Sequence, residues 1–124
     1  MSTYQAVTSF SVAAAADYSS TGQYLLVDIN SSGQAVLVAS QGAKAVGVLD
    51  NDPESGNAAR VIFSGVAKVT AGGDITAGAK ITTGADARAE TAASGDHVIG
   101  TALTSGGDGD IIEVLLGTGQ HILA

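Results

Sequence analysis

The stretch that most resembles a chemical motif reads GGDITAGAKITTG and covers residues 72–84. Gly73 and Gly78 have the spacing of the two glycines in a phosphate-binding loop. In that loop the lysine directly follows the second glycine and precedes a Mg²⁺-binding Ser or Thr. Here an alanine separates Gly78 from Lys80, and Ile81 stands where the Ser or Thr is needed. The stretch therefore predicts a strand–turn–strand unit and not a nucleotide site.

Two acidic segments resemble calcium-binding loops. DNDPESG at 50–56 begins as an EF-hand loop does, but Ser55 replaces the glycine at the sixth position and Val61 replaces the glutamate at the twelfth. GGDGD at 106–110 resembles one repeat of a calcium-binding β-helix, but it occurs once, and Ile111 stands where the next aspartate ligand is needed. We interpret both as solvated acidic turns and expect no metal site.

The residues that could support catalysis are scattered. His97 and His121 lie in no zinc-binding motif, and the chain contains no G-x-S-x-G nucleophile elbow. Lys68 in VAKVT lacks the flanking residues of a lipoyl- or biotinyl-carrying lysine, and the alternating pattern predicts that it is an exposed strand residue. We therefore predict no catalytic residue, no cofactor-binding residue and no cofactor, so an enzyme is not expected.

Composition narrows the class of protein. A chain of 124 residues has the size of one domain. Its 12 acidic and 5 basic residues give a net charge of −7, which disfavours direct binding to nucleic acid. There is no cysteine, so neither a disulfide nor a thiolate metal site can form. No apolar run approaches the roughly 18 residues of a membrane span, so no membrane partner is expected.

Hydrophobic periodicity of two dominates the pattern and predicts strands. In the clearest segment Val61 and Phe63 are predicted to share one face, and Gly65 indicates a bulge or a close backbone approach. Segments that combine Gly with Asp or Asn separate the strands, as tight turns require. The pattern predicts an all-β barrel or sandwich of short strands. The predicted strands are 23–30, 34–39, 45–49, 59–69, 79–82, 97–104 and 110–116.

The two ends of the chain differ from the middle. We predict an N-terminal arm at 1–20, a β-rich domain at 21–117 and a C-terminal tail at 118–124. Apolar side chains are sparse in the first segment. It is either a frayed terminus, which composition alone favours, or an arm that becomes ordered on a partner and is anchored by its large apolar side chains.

The order of turn and strand segments over residues 18–116 resembles that of the small head-decoration, or capsid cement, proteins of tailed bacteriophages. The matching segments are GVL at 47–49, NDP at 51–53, SGVAKV at 64–69, ITAG at 75–78, VIGTAL at 98–103 and DIIEVLL at 110–116. They are turn and strand signals, so the resemblance depends on their order and spacing.

This resemblance implies a β-rich domain, often a homotrimer, that binds the major capsid protein lattice on the exterior of the mature head. Such a protein is made in the cytoplasm of an infected bacterium, becomes part of the virion and stiffens the shell without catalysis. The resemblance also favours the partner-ordered arm. The candidate capsid or subunit contacts are Tyr4, Val7, Phe10, Asn51, Asp52 and Pro53.

A β-rich module that binds a ligand or glycan is the alternative function. The chain has three Tyr, two Phe and no Trp, which weakens this hypothesis because sugar sites generally use aromatic platforms.

Overall fold

The computed structural model describes residues 7–20 and 22–123, without the side chains of residue 7 and of residues 117–121. Within these ranges the chain forms nine strands and no helix. The strands are β1 (Val7–Ala13), β2 (Leu26–Ile29), β3 (Ala35–Leu37), β4 (Gly47–Leu49), β5 (Ala58–Thr70), β6 (Lys80–Thr83), β7 (Ala89–Thr91), β8 (His97–Ala102) and β9 (Ile111–Ile122).

All nine strands belong to one sheet, which curls into a half-barrel. The order is β3-β2-β4-β5-β9-β8-β6-β7, with β1 paired to β5 outside this order. Every pairing between these strands is antiparallel. The predicted all-β fold of short strands is therefore confirmed. In the described ranges no helix is long and apolar enough to cross a membrane.

The strand boundaries differ from the predicted ones mainly at the two ends. β1 and β7 have no counterpart among the predicted strands. β1 lies in the segment predicted as an arm and pairs with β5 along its whole length. β9 continues past residue 117, because its far end pairs with β8 through His97 and Ile122. The division into arm, domain and tail as separately folding parts stays a prediction.

β5 is the longest strand and pairs with three others. Its first half pairs with β1 and β4 and its second half with β9, and Gly65 is the residue that pairs with both Val7 and Leu116. The φ angle of Gly65 is 98°, which a side chain would disfavour. The predicted irregularity at this glycine is present, but the register with β1 shifts at Phe63, which has no partner there. Phe63 is 41% exposed, although its ring contacts Phe10, which packs against the core that contains Val61.

Two hydrophobic cores lie on opposite faces of the central strands. β2, β4 and β5 contribute consecutive buried residues to different cores, because successive side chains of a strand point to opposite faces. The main core includes Leu26, Val48, Ile62, Val69, Ile75, Ile81, Ile99, Ile112 and Val114. The second core consists of Ala14, Tyr18, Val27, Ala35, Leu49, Ala59 and Val61, with Phe10, Val12, Leu37 and Val46 packed against it.

Candidate functional site

The glycine-rich stretch at 72–84 forms turns and strand β6, as predicted. A phosphate-binding loop needs a helix after its lysine, whereas Lys80 begins a strand. Thr82 and Thr83 are fully buried, and the Thr83 hydroxyl donates to the carbonyl oxygen of Ala43 at 2.8 Å. These threonines therefore serve the packing of the sheet and are not exposed to a nucleotide.

The two acidic loops are closed by their own side chains. In the first, the Asn51 amide donates to the carbonyl of Ala58 at 3.0 Å, and its oxygen accepts from the backbone N–H of Arg60 at 2.9 Å. In the second, an Asp110 carboxylate oxygen accepts from the N–H of Gly107 at 2.9 Å. Across the described part of the chain, no group of three or more His, Cys, Asp or Glu residues could hold a metal ion.

Among the described side chains, His97 and Lys68 lie on different strands and share no hydrogen bond. His97 is half-buried, and its Nδ1 lies 3.1 Å from the carbonyl oxygen of Gly42. The backbone of His121 pairs with Val98, and its side chain lies outside the description. Lys68 is an exposed residue of β5, as predicted.

An exposed apolar patch lies where β1 meets β5. The rings of Phe10 and Phe63 are 5.6 Å apart between centroids and tilted by 53°. Val46, Ala45 and the Lys44 side chain line the same shallow groove. Phe63 exposes 41% of its surface, which is high for an aromatic side chain. We call Phe10, Val46 and Phe63 the aromatic patch.

The second edge of β1 adjoins this patch. β1 reads VTSFSVA, and among the described residues its only strand partner is β5. It carries no charged residue and no proline, which are the usual means of protecting an edge strand. The edge therefore offers backbone donors and acceptors to another chain.

The predicted contact residues that the structure describes lie on β1 and in the loop at its far end. Val7 begins the strand and Phe10 lies in the aromatic patch, whereas Tyr4 lies outside the described residues. The 50–57 loop meets the other end, where the Gly56 N–H donates to the carbonyl of Ala14 at 3.0 Å.

Within that loop the three predicted contact residues differ in exposure. Asn51 is half-buried, and Pro53 is buried and accepts from the N–H of Tyr18 at 2.9 Å. Asp52 is exposed. Sequence reasoning missed Phe63, because its exposure results from the shift of register with β1.

A second, polar groove runs over the other side of β5 and β9, and sequence reasoning did not find it. Three adjoining depressions share Tyr24 as a lining residue, and the largest has a volume of about 650 Å³. We call it the Tyr24 groove and define it by Tyr24, Asp50, Arg60, Lys68, Ile111 and Glu113. Composition could not indicate it, since its residues come from four separate segments.

The charges near these surfaces are mostly paired. Lys44 contacts Asp28 at 2.8 Å, and Arg60 contacts Asp50 at 3.2 Å. In the turn that follows β1, hydrogen bonds from the Ser19 side chain and backbone lower the pKa of the exposed Asp17 carboxyl. The Ser19 N–H donates to Asp17 at 3.0 Å.

Comparison with known proteins identifies the class. The sequence model of the phage cement proteins matches residues 28–116, well over half of the chain. The chain belongs to the phage cement protein family, and its role is capsid decoration. The resemblance inferred from turn and strand order is thus confirmed.

A solved structure has the same fold. The N base of head fiber gp8.5 from bacteriophage phi29 superposes with a TM-score of 0.70 at 21% identity. The match covers 90% of this chain and 95% of that chain. No curated protein is significantly similar to this chain in sequence.

Proposed function

We propose that this protein binds the exterior of the mature phage head as a homotrimer and stiffens the shell without catalysis. The contact with the major capsid protein or with a sister subunit is made by β1 and its surroundings. The observation that carries this proposal is the uncharged second edge of β1, which has no strand partner among the described residues, beside the half-buried Phe10 and the exposed Phe63.

The edge and the patch supply complementary parts of a protein interface. An extended segment of a partner can add to the edge through main-chain hydrogen bonds, while apolar side chains give specificity. Phe10 and Phe63 are the aromatic anchors that such interfaces favour. Because β1 is uncharged, its burial removes no charged side chain of its own from water.

The two ends of β1 extend this contact in our proposal. Tyr4, Val7 and Phe10 act at or before the strand, and the loop with Asn51, Asp52 and Pro53 acts after it. Asn51 and Pro53 hold the loop in place through hydrogen bonds. Asp52 is then the residue of the three that reaches a partner.

The charge of the chain supports the exterior location. A net charge of −7 is repelled by packaged DNA on the inside of the shell. A protein that binds the assembled lattice but not dissociated subunits stabilises the lattice by about 2.7 kcal/mol per site when its concentration is a hundredfold above Kd. A trimer gains further through simultaneous contacts.

Sedimentation of undecorated mature heads with purified protein tests the proposal. We expect the wild type to co-sediment, and Phe63→Ser to bind about tenfold more weakly or worse, since a buried aromatic anchor is lost. Leu103→Ser is the matched control, because Leu103 is 43% exposed against 41% for Phe63 and does not line the aromatic patch.

Three outcomes would contradict separate parts of the proposal. Absence of the wild type from the head fraction at micromolar concentration rejects decoration by this chain. Equal binding of Phe63→Ser and Leu103→Ser rejects the aromatic patch as the contact. A monomeric mass both in solution and on the heads, measured by light scattering and by cryo-EM respectively, rejects the trimer.

A further inference from the structure

Most of the Tyr24 groove lies away from the contact surface proposed above, and Asp52 of that surface borders its third depression. It is lined by β5, β9 and the loops around residues 24, 50 and 104, and neither Phe10 nor Phe63 borders it. The inference drawn from this groove uses neither the aromatic patch nor the edge of β1.

Tyr24 is held in an unusual conformation at the centre of this groove. Its φ angle is 68°, in the left-handed region that non-glycine residues seldom adopt. Two backbone hydrogen bonds hold it there: its N–H donates to Leu49 at 2.7 Å, and its carbonyl accepts from Thr70 at 2.9 Å. Such conformations persist where the surroundings over-determine them, and they cluster at functional sites. The half-buried Tyr24 side chain lines all three depressions.

The floor and walls of the groove carry balanced charge. Lys68 and Glu113 occupy directly paired positions of β5 and β9. Arg60 and Asp50 form a second pair of opposite charges at 3.2 Å. The two depressions that share Lys68 and Glu113 thus hold two of the five basic residues of a strongly acidic chain beside two carboxylates, while Asp52 borders the third depression. In those two depressions neither an anion nor a cation gains from this arrangement, whereas a neutral ligand with many hydroxyl groups does.

The hydrogen-bonding capacity of the groove fits such a ligand. Lysine and arginine donate to hydroxyl oxygens, and carboxylates accept from hydroxyl protons. The exposed hydroxyl side chains of Thr104 and Ser105 line the same depression and do both. The apolar surfaces of Tyr24 and Ile111, the latter 52% exposed, match the C–H face of a sugar ring.

We propose that the Tyr24 groove binds a neutral saccharide chain. Tyr24 is the platform, Lys68 and Glu113 contact the hydroxyl groups, and Ile111 covers an apolar edge of the sugar. The volume of about 650 Å³ lies within the range of small-molecule sites. The chain would then be held on the head while its groove contacts carbohydrate.

An array of immobilised short oligosaccharides tests this inference on the full-length protein. The neutral arm contains chains of glucose, galactose, mannose and N-acetylglucosamine, and the charged arm contains sialylated and sulfated chains. We expect binding in the neutral arm, followed by NMR titration with the strongest binder. Tyr24→Gly should weaken that binding about tenfold, because the platform is lost while glycine keeps the left-handed backbone.

The lysine in the groove provides a second variant with a matched control. Lys68→Met should weaken binding several-fold, whereas Lys80→Met on β6, equally an exposed strand lysine outside the groove, should not. No binding in the neutral arm at millimolar concentration would overturn the inference. Binding only in the charged arm, or binding that both groove variants leave unchanged, would overturn it as well.

Discussion

The two hydrophobic cores share β2, β4 and β5 but are closed in different ways. Strands of the same sheet close the main core, with large aliphatic side chains such as Ile81 and Ile112. Residues 10–18 close the second core, and Tyr18 is the only fully covered large side chain that they bring. One face is thus sealed by regular strands and the other by a segment of mostly small residues.

The two cores also differ in the number of hydrogen bonds that fix the segments around them. Most strands around the main core, namely β4, β5, β9, β8 and β6, pair with a neighbouring strand on both sides. The covering segment is fixed by its pairing with β5 and by Tyr18, whose N–H donates to Pro53 at 2.9 Å and whose hydroxyl accepts from Leu37 at 3.3 Å. We therefore expect the second core to depend on few residues and to rearrange more readily.

Removal of the Tyr18 side chain should have the largest effect. Tyr18 is 7% exposed, so Tyr18→Ala should lower the free energy of unfolding by about 3–5 kcal/mol. Tyr18→Phe keeps the ring and should lose about 0.5–1.5 kcal/mol, from the hydrogen bond alone. Urea denaturation of both variants measures the difference. Similar small losses for the two would show that the second core does not depend on this anchor.

A matched pair of leucines compares the cores directly. Leu26 in the main core and Leu49 in the second core are both 0% exposed. Each Leu→Ala change should cost about 2–5 kcal/mol, with the larger loss at Leu26, because a rigid site collapses less around the cavity. Denaturant unfolding gives both values under one condition. A larger loss at Leu49 would reverse the proposed order of rigidity.

Where β8 packs closely against β9, one added methyl group should lower the stability of the fold. A Cβ on Gly100 in β8 would collide with the carbonyl oxygen of Leu115 in β9, whereas one on Gly73 would meet nothing. Gly100→Ala should therefore cost about 1–3 kcal/mol. Gly73→Ala should be neutral or slightly stabilising. Thermal melting of the two variants tests this contrast, and equal melting temperatures would contradict it.

The smallest effect should come from the turn inside the covering segment. The pKa of Asp17 is lowered from its ordinary value of 3.8 by hydrogen bonds from Ser19. A lowered folded pKa means that the contribution to stability is present above the unfolded pKa and is lost as the pH falls through the folded value. Asp17→Asn should remove this small acid dependence. An NMR titration midpoint of Asp17 at or above 3.8 would contradict the expectation.

Much of the fold was predictable from local pattern, and the reasons for the exceptions are specific. Alternation over 59–69 predicted β5, and turn residues predicted the breaks between strands. Phe10 and Val12 alternate with serines, but this short signal could not outweigh the low apolar content of the first twenty residues. β7 has three residues, too few for periodicity to distinguish it.

The candidate sites were less predictable than the fold. Phe10 was identified from its side chain alone, but Phe63 required the shift of register with β1. The Tyr24 groove required residues from four separate segments to meet, which no local pattern records. The predictions that no nucleotide, calcium or zinc motif is present needed only the residue types and their spacing, and both can be read directly from the sequence.

The sequence by itself determined the β-rich character, the turns, the acidic charge and the family to which the chain belongs. These properties depend on side-chain periodicity, backbone preferences, residue counts and the order of segments. Each of them can be read along the chain without knowing which distant residues meet. Only the tertiary structure decided that residues 10–18 cover a second core, that Phe63 is exposed and that Tyr24 stands at the centre of a groove. Each of these depends on pairing between distant strands, where one shift of register changes which side chains reach solvent.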